Sequence, residues 1–115
     1  DMVAAYDRKL SDEGDAAKLY MKCAPGDSEE ALAKYHAASP MHRLPIRVPI
    51  LLVSGSGDKD VPMDLVESYR DAATIAGGAP VDFIACDPSS DHYTPVNATS
   101  TEWLQIRRAI DAALV

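Results

Sequence analysis

The chain has 115 residues, of which 47% are hydrophobic and 25% charged, and its formal net charge is −7. That length suits one globular domain or part of one. The acidic balance argues against a nucleic-acid partner, which would require a basic surface. No apolar run approaches the ~20 residues of a membrane-spanning helix, so no membrane association is expected. No signal-peptide pattern opens the chain, and a cytoplasmic location is expected.

The two cysteines, Cys23 and Cys86, lie far apart and lack the spacing of metal ligands. This usage is typical of reduced, partly buried thiols in a cytosolic protein. Neither a metal nor another cofactor is therefore predicted.

Residues 1–40 predict short helices with weak apolar faces, and we interpret them as a helical cap or connecting segment. The first ten residues show little periodicity. Ser11 or Asp12 can open a helix over Asp15–Met21, which Pro25-Gly26 would stop.

A second helix is predicted to follow, with Asp27 as its N-cap and Glu30 completing a capping box. Ser39-Pro40 should end it, because a residue before proline avoids the α region. The three prolines within residues 40–49 then predict an extended connection.

Residues 41–115 predict an α/β unit. The apolar run that includes Val48–Val53 predicts a strand at about 48–54, since strands covered on both faces of a parallel sheet lack polar alternation. A helix over Asp64–Ala76, stopped by Gly77-Gly78, leads to a second strand at about 81–86.

The final helix is predicted to start at a Thr99 cap, with Glu102 at the capping-box position. Its apolar stripe consists of Trp103, Ile106, Ile110 and Leu114. Because a two-stranded sheet is marginal alone, the chain is expected to be part of a larger α/β domain whose other strands belong to a preceding N-terminal portion.

One carboxylate, Asp58, and one imidazole, His92, each come just after a predicted strand. A strand–helix–strand unit of this length is nearly always a parallel crossover, so both loops should open at the same edge of the sheet. Strands lie about 4.8 Å apart, which allows the two side chains to form a hydrogen bond. Such a pair fixes the imidazole tautomer and stabilises the imidazolium.

The run LLVSGSGDKDVP resembles the strand and acid loop of α/β-hydrolases, with Gly55, Asp58, Val61 and Pro62 at matching places. The lead-in Ala38-Ser39-Pro40-Met41-His42 and the Asp91-His92-Tyr93 ending are similar to those of esterase and kynurenine-formamidase-like members. The resemblance covers about residues 37–114. It implies the C-terminal portion of that fold, with Asp58 as triad acid and His92 as general base.

The serine of such enzymes stands on a G-x-S-x-G elbow that precedes the acid and the histidine in the chain. No such pentapeptide occurs here, since Gly55-Ser56-Gly57 has the wrong spacing. The resemblance therefore implies a carboxylic ester or amide hydrolase whose nucleophile and oxyanion hole lie in a missing N-terminal part. A small acyl substrate and, as partner, the remainder of the domain or a homo-oligomer are expected. The alternative is an inactive, hydrolase-derived binding or assembly domain.

Other residues support competing interpretations. Asp60 is the rival acid or a cap of the next helix, and Asp91 is expected to organise its own loop. His36 and His42 are expected to be structural or surface residues, and Ser54 a packing residue. Met41, Met63 and Tyr93 are candidates for an acyl pocket.

Two further chemistries fit the pattern poorly. Asp58-Lys59-Asp60 resembles the D-x-D start of haloacid-dehalogenase-type phosphatases, but Pro62 occupies the place of their Thr or Val. A calcium loop would need alternating oxygen ligands around a glycine, and Val61-Pro62 interrupts that series.

Overall fold

The computed structural model describes residues 1–11 and 14–114, which form a mixed α/β structure. This part of the chain contains five α-helices and a two-stranded parallel sheet. In chain order the elements are α1 (Met2–Asp7), α2 (Ala16–Met21), α3 (Glu29–Ala38), a 3₁₀ turn (Pro40–Arg43), β1 (Ile50–Ser54), α4 (Met63–Ala76), β2 (Val81–Ala85), a second 3₁₀ turn (Thr94–Val96) and α5 (Thr101–Ala113).

The sheet has the parallel topology expected from the strand–helix–strand pattern. Ile50 pairs with Val81 and Ser54 with Ala85, so the carboxyl ends of β1 and β2 lie side by side. β1 begins two residues later than predicted, and β2 ends one residue earlier. The loops that follow both strands therefore start at the same edge of the sheet.

Helix α4 covers one face of this sheet. Its apolar residues recur at helical spacing, Ala73 is buried, and the Arg70 guanidinium lies 5.2 Å from the centre of the Phe83 ring on β2. The helix ends where predicted, because Gly77 adopts a φ of +74°, which L side chains rarely take.

Helix α1 was not predicted, because six residues carry too little periodicity to be recognised. The Asp1 carboxylate caps it by accepting from Val3 N–H at 2.9 Å. Tertiary contacts then fix it. The Tyr6 ring packs edge-on against the fully buried Tyr35 ring of α3 at 6.0 Å, and Met2 N–H donates to Ser39 Oγ at 2.8 Å.

Two predicted helix caps are wrong by one residue. Ser28, not Asp27, caps α3 by accepting from Ala31 N–H, and Asp27 accepts from Ala24 N–H instead. Ser100, not Thr99, caps α5. In both places a serine competes with its neighbour for the cap, and backbone conformation decides between them.

Three other expectations are met only in part. Helix α2 begins after Asp15, Ser11 lies outside it, and Asp12 lies outside the described residues. The connection after α3 is a 3₁₀ turn over its first four residues before it becomes extended. Along α5, Ile106 is buried and Trp103 half-buried, whereas Ile110 and Leu114 are exposed.

The cysteines are free thiols, as predicted, with Cys86 buried and Cys23 half-buried. Burial raises the pKa of the Cys86 thiol. Among the described residues, no helix is both long and apolar enough to cross a bilayer.

Candidate active site

The loop after β1 holds the Asp58 carboxylate in one orientation. Asp58 N–H donates to the Gly55 carbonyl at 3.1 Å, which closes a turn. Its Oδ1 accepts from the main-chain N–H of Asp60 at 2.9 Å and of Val61 at 2.8 Å. These local bonds are typical of an aspartate in a turn, and they leave Oδ2 directed elsewhere.

Asp58 Oδ2 lies 2.8 Å from His92 Nδ1. The side chain of Asp58 is 12% exposed and that of His92 is 39% exposed, so the carboxylate is sheltered while the imidazole reaches the surface. The contact predicted from the topology is therefore present. With a proton on Nδ1 the ring donates to the carboxylate, and Nε2 is left as the acceptor in the neutral form.

The electrostatic surroundings favour the protonated form of the imidazole. The hydrogen bond to Asp58 raises the pKa of His92 above its ordinary value of 6.5, partial burial opposes this, and the charges of Asp58, Asp60 and Asp91 add to the increase. His92 is thus a stronger base than a free histidine.

Gly57 allows the acid loop to lie directly against the histidine loop. A Cβ on Gly57 would overlap the Ser90 carbonyl oxygen and lie 2.5 Å from that of Pro88. No side chain fits in that space. This glycine therefore sets the separation between the two loops, and with it the distance from Asp58 to His92.

A buried polar contact anchors the histidine loop to α5. Ser90 Oγ donates to Glu102 Oε1 at 2.7 Å, and both residues are buried. This hydrogen bond is the main reason that the pKa of the Glu102 carboxyl lies below its ordinary value. The sequence predicted only a capping role for Glu102, because nothing local shows that its partner lies twelve residues earlier.

Asp91 organises the turn that carries the histidine, as predicted. Its Oδ1 accepts from Tyr93 N–H at 2.9 Å and from Thr94 N–H at 2.8 Å. The Tyr93 ring then lies edge-on to the His92 ring, with the centres 5.2 Å apart. The Asp91 turn thus fixes the backbone around His92, and the Tyr93 ring contacts one side of its imidazole.

The rival acid Asp60 lies beside the pair and does not cap α4, whose N-cap is Pro62 without a side-chain cap. Asp58, Asp60 and His92 each place one ligand atom within 4.8 Å of the other two. Three such atoms could hold a metal ion. However, Asp58 Oδ1 already accepts two main-chain hydrogen bonds and Oδ2 already contacts His92 Nδ1, so both carboxylate oxygens are engaged within the chain. The arrangement therefore fits an acid–histidine pair better than a metal centre.

The remaining histidines and Ser54 lie apart from this chemistry. His36 and His42 stack on each other with their ring centres 4.1 Å apart, as befits structural residues. Ser54 is buried at the end of β1, and its hydroxyl has no hydrogen-bond partner among the described residues.

A cavity in the described part of the chain has a volume of about 700 Å³ and an almost entirely apolar lining. It reaches the acid loop at Asp60 and Val61. None of the predicted pocket residues Met41, Met63 and Tyr93 lines it, so that prediction does not fit this cavity. Helices α1 and α2 form one wall of this cavity. Their apolar pattern in the sequence is too weak to predict that role.

Comparisons with protein-family models, curated proteins and solved structures gave no match. The assignment of function therefore depends on the geometry of the site and on the sequence motifs.

Proposed function

We propose that Asp58 and His92 are the orienting acid and the general base of a serine-type ester or amide hydrolase of the α/β-hydrolase family. The observation that carries this proposal is the 2.8 Å contact between Asp58 Oδ2 and His92 Nδ1, made between loops that follow two parallel strands. The chain order of acid before histidine agrees with that family.

The proposed chemistry uses the two ring nitrogens differently. His92 Nε2 takes the proton of a serine hydroxyl as the serine attacks the acyl carbonyl, and later returns a proton to the leaving alcohol or amine. Asp58 keeps the other nitrogen protonated and stabilises the imidazolium formed in between. The resulting acyl-enzyme is hydrolysed when His92 activates a water molecule in the same way.

The nucleophile must come from polypeptide outside residues 1–115, because the chain contains no G-x-S-x-G elbow. Among the described residues, the only hydrogen bond that the His92 ring makes is with Asp58. The substrate class is a small acyl ester or amide, and no cofactor is required for this chemistry.

The test uses a longer protein that carries this chain together with the polypeptide preceding it. We expect His92→Ala and Asp58→Asn each to lower kcat by at least ~10²-fold, because a positioned general base contributes about 10²–10⁴ in rate. His42→Ala and Asp71→Asn are matched controls, since both residues are exposed and lie outside the pair. Unchanged turnover in either His92→Ala or Asp58→Asn would remove the assignment.

The pH dependence gives an independent check. Only the neutral imidazole can accept the serine proton, so kcat/KM should fall as the pH drops through the raised pKa of His92. Asp58→Asn should move that fall to lower pH, because the negative partner that raises the pKa is gone.

A second candidate function is a non-enzymatic binding or assembly domain derived from a hydrolase. The observation in its favour is that β1 pairs on one side only among the described residues, which leaves an edge for a partner. A fluorophosphonate probe separates the two functions on the longer protein. Labelling of a serine that His92→Ala abolishes supports the hydrolase, and absence of labelling supports the binding domain.

A further inference from the structure

The apolar cavity of about 700 Å³ is built from three parts of the chain. Strand β1 contributes Ile50 and Leu52, whose side chains share one face of the strand because they are two residues apart. Helix α4 contributes Leu65, Val66 and Tyr69, and helices α1 and α2 form a third wall. A volume of this size suits a small organic molecule.

One acidic side chain joins this cavity to the candidate active site. Asp60 lines the cavity, and one oxygen of its carboxylate lies within 4.8 Å of a ring nitrogen of His92. Among the described residues, it is the one that belongs both to the cavity lining and to the cluster with Asp58 and His92. A molecule in the cavity can therefore reach the acid–histidine pair along Asp60.

The Asp60 carboxylate has no partner of its own in the described part of the chain. It accepts no hydrogen bond and forms no ion pair there, whereas the carboxylate of Asp58 accepts two main-chain N–H groups and contacts His92. The other acid of the lining, Asp1, already caps α1.

No lysine, arginine or histidine is found among the described residues that line the cavity. Asp60 is half-buried beside this apolar surface, where a carboxylate gains most from a positively charged hydrogen-bond donor. The cavity thus combines an apolar lining with one acidic group that lacks a cation.

We propose that the cavity binds a small apolar molecule that carries a positively charged amino group, and that this ammonium group binds to the Asp60 carboxylate. Such a ligand removes the apolar lining from water and supplies the cation that the lining lacks. A neutral apolar molecule would leave the carboxylate unpaired. An anion would be repelled by Asp60 and by the net charge of −7.

In the hydrolase proposed above, this ligand is part of the substrate, and this step of the inference rests on that proposed function. Because Asp60 lies so near His92, only a few bonds separate the bound ammonium from the acyl carbonyl. The substrate class is therefore an apolar α-amino acyl ester or amide. The bond from the acyl carbon to the leaving oxygen or nitrogen breaks, His92 gives the leaving group its proton, and water supplies the hydroxyl of the acid.

Binding of two small probes to the 115-residue chain tests the ammonium site without any catalysis. Phenethylamine and phenethyl alcohol share the same apolar part and differ in charge. Each is titrated in the presence of EDTA, which keeps metal ions away from Asp60 and His92, and the methyl signals of Leu52 and Leu65 are followed by NMR. We expect the amine to bind at least about fivefold more tightly than the alcohol, because a charge-assisted hydrogen bond is stronger than a neutral one.

Asp60→Asn removes the charge and keeps the shape of the side chain. The main-chain bond from Asp60 N–H to Asp58 is retained, so the acid loop should keep its fold. We expect the variant to weaken amine binding at least about fivefold, which abolishes the preference over the alcohol. Asp82→Asn is the matched control, because this exposed aspartate of β2 lies outside the cavity and gives the same change in net charge. The preference for the amine should be unchanged in it.

Four results would overturn the inference. They are a flat titration with the amine, equal binding of amine and alcohol by the parent chain, equal binding of the amine by the parent chain and Asp60→Asn, and binding that leaves the Leu52 and Leu65 methyl signals unchanged.

The longer protein separates this inference from the proposed function. The substrates are the nitrophenyl esters of phenylalanine and of phenylpropionic acid, which differ in the amino group. We expect a higher kcat/KM for the phenylalanine ester, and Asp60→Asn should lower the ratio of the two kcat/KM values at least about fivefold. Hydrolysis of both esters at a ratio near one overturns the substrate assignment alone. Hydrolysis of neither ester removes the proposed function, whereas amine binding by the 115-residue chain would still establish the ammonium site.

Discussion

The carboxyl end of the sheet and the open edge of β1 lie only a few residues apart. They differ in how many of their polar groups have hydrogen-bond partners within the chain. At the carboxyl end, Asp58, Asp91 and Ser90 all have hydrogen-bond partners within the chain. Along the open edge, the main-chain groups of Leu51 and Val53 have no paired strand among the described residues. The positioning of the acid and the histidine is thus built into this chain, whereas the sheet that supports them has only two strands among the described residues.

The largest effect on stability is expected from a substitution that places a side chain between the acid loop and the histidine loop. Gly57→Ala places a methyl group where the Ser90 carbonyl lies, so we expect a loss of roughly 1–3 kcal/mol in the free energy of unfolding, as for an overpacked core. Urea denaturation measures this loss. Gly26→Ala is the control, because a Cβ there meets no atom within 4 Å, and stability should be nearly unchanged. Equal effects of both substitutions would contradict the close packing of the loops.

A smaller effect is expected from detaching the histidine loop from α5. Ser90→Ala removes the donor to the buried Glu102 carboxylate and should lower the melting temperature by a few degrees at neutral pH. Because the folded-state pKa of Glu102 is lowered, its stabilisation is present above the ordinary pKa of 4.5 and is lost as the pH falls through the folded-state pKa. The difference between the variant and the parent chain should therefore shrink in acid. A difference that is the same at both pH values would argue against a charged Glu102 as the acceptor.

A change confined to the pKa of His92 is expected when Asp58 loses its charge. In an NMR titration His92 should show a pKa above 6.5, and Asp58→Asn should lower it towards that ordinary value. The raised pKa contributes stability that is fully present below the unfolded-state pKa and is lost as the pH rises through the folded-state pKa. An unchanged His92 pKa in Asp58→Asn would show that the two side chains do not interact in solution.

The smallest effect on stability is expected from the ion pair that joins the end of α1 to α4. Arg8 lies 2.7 Å from Asp64. Both side chains are exposed, and surface ion pairs contribute little to stability because water and salt screen them. Arg8→Ala should therefore leave the urea midpoint almost unchanged, and a double-mutant cycle with Asp64→Ala should give a coupling near experimental error. A large coupling would mean that the cavity wall is fixed as firmly as the site loops.

The amino-acid sequence alone predicted the parallel strand–helix–strand unit and the contact between Asp58 and His92. Both follow from local signals, namely an unbroken apolar run, a helix stopped by Gly77, and loops that must start at the same edge of a parallel sheet. Three features could be seen only in the tertiary structure. They are the short helix α1, the hydrogen bond from Ser90 to Glu102 and the cavity beside β1. Each of these depends on residues that are distant in the chain and meet only after folding, and a local pattern carries no information about such partners.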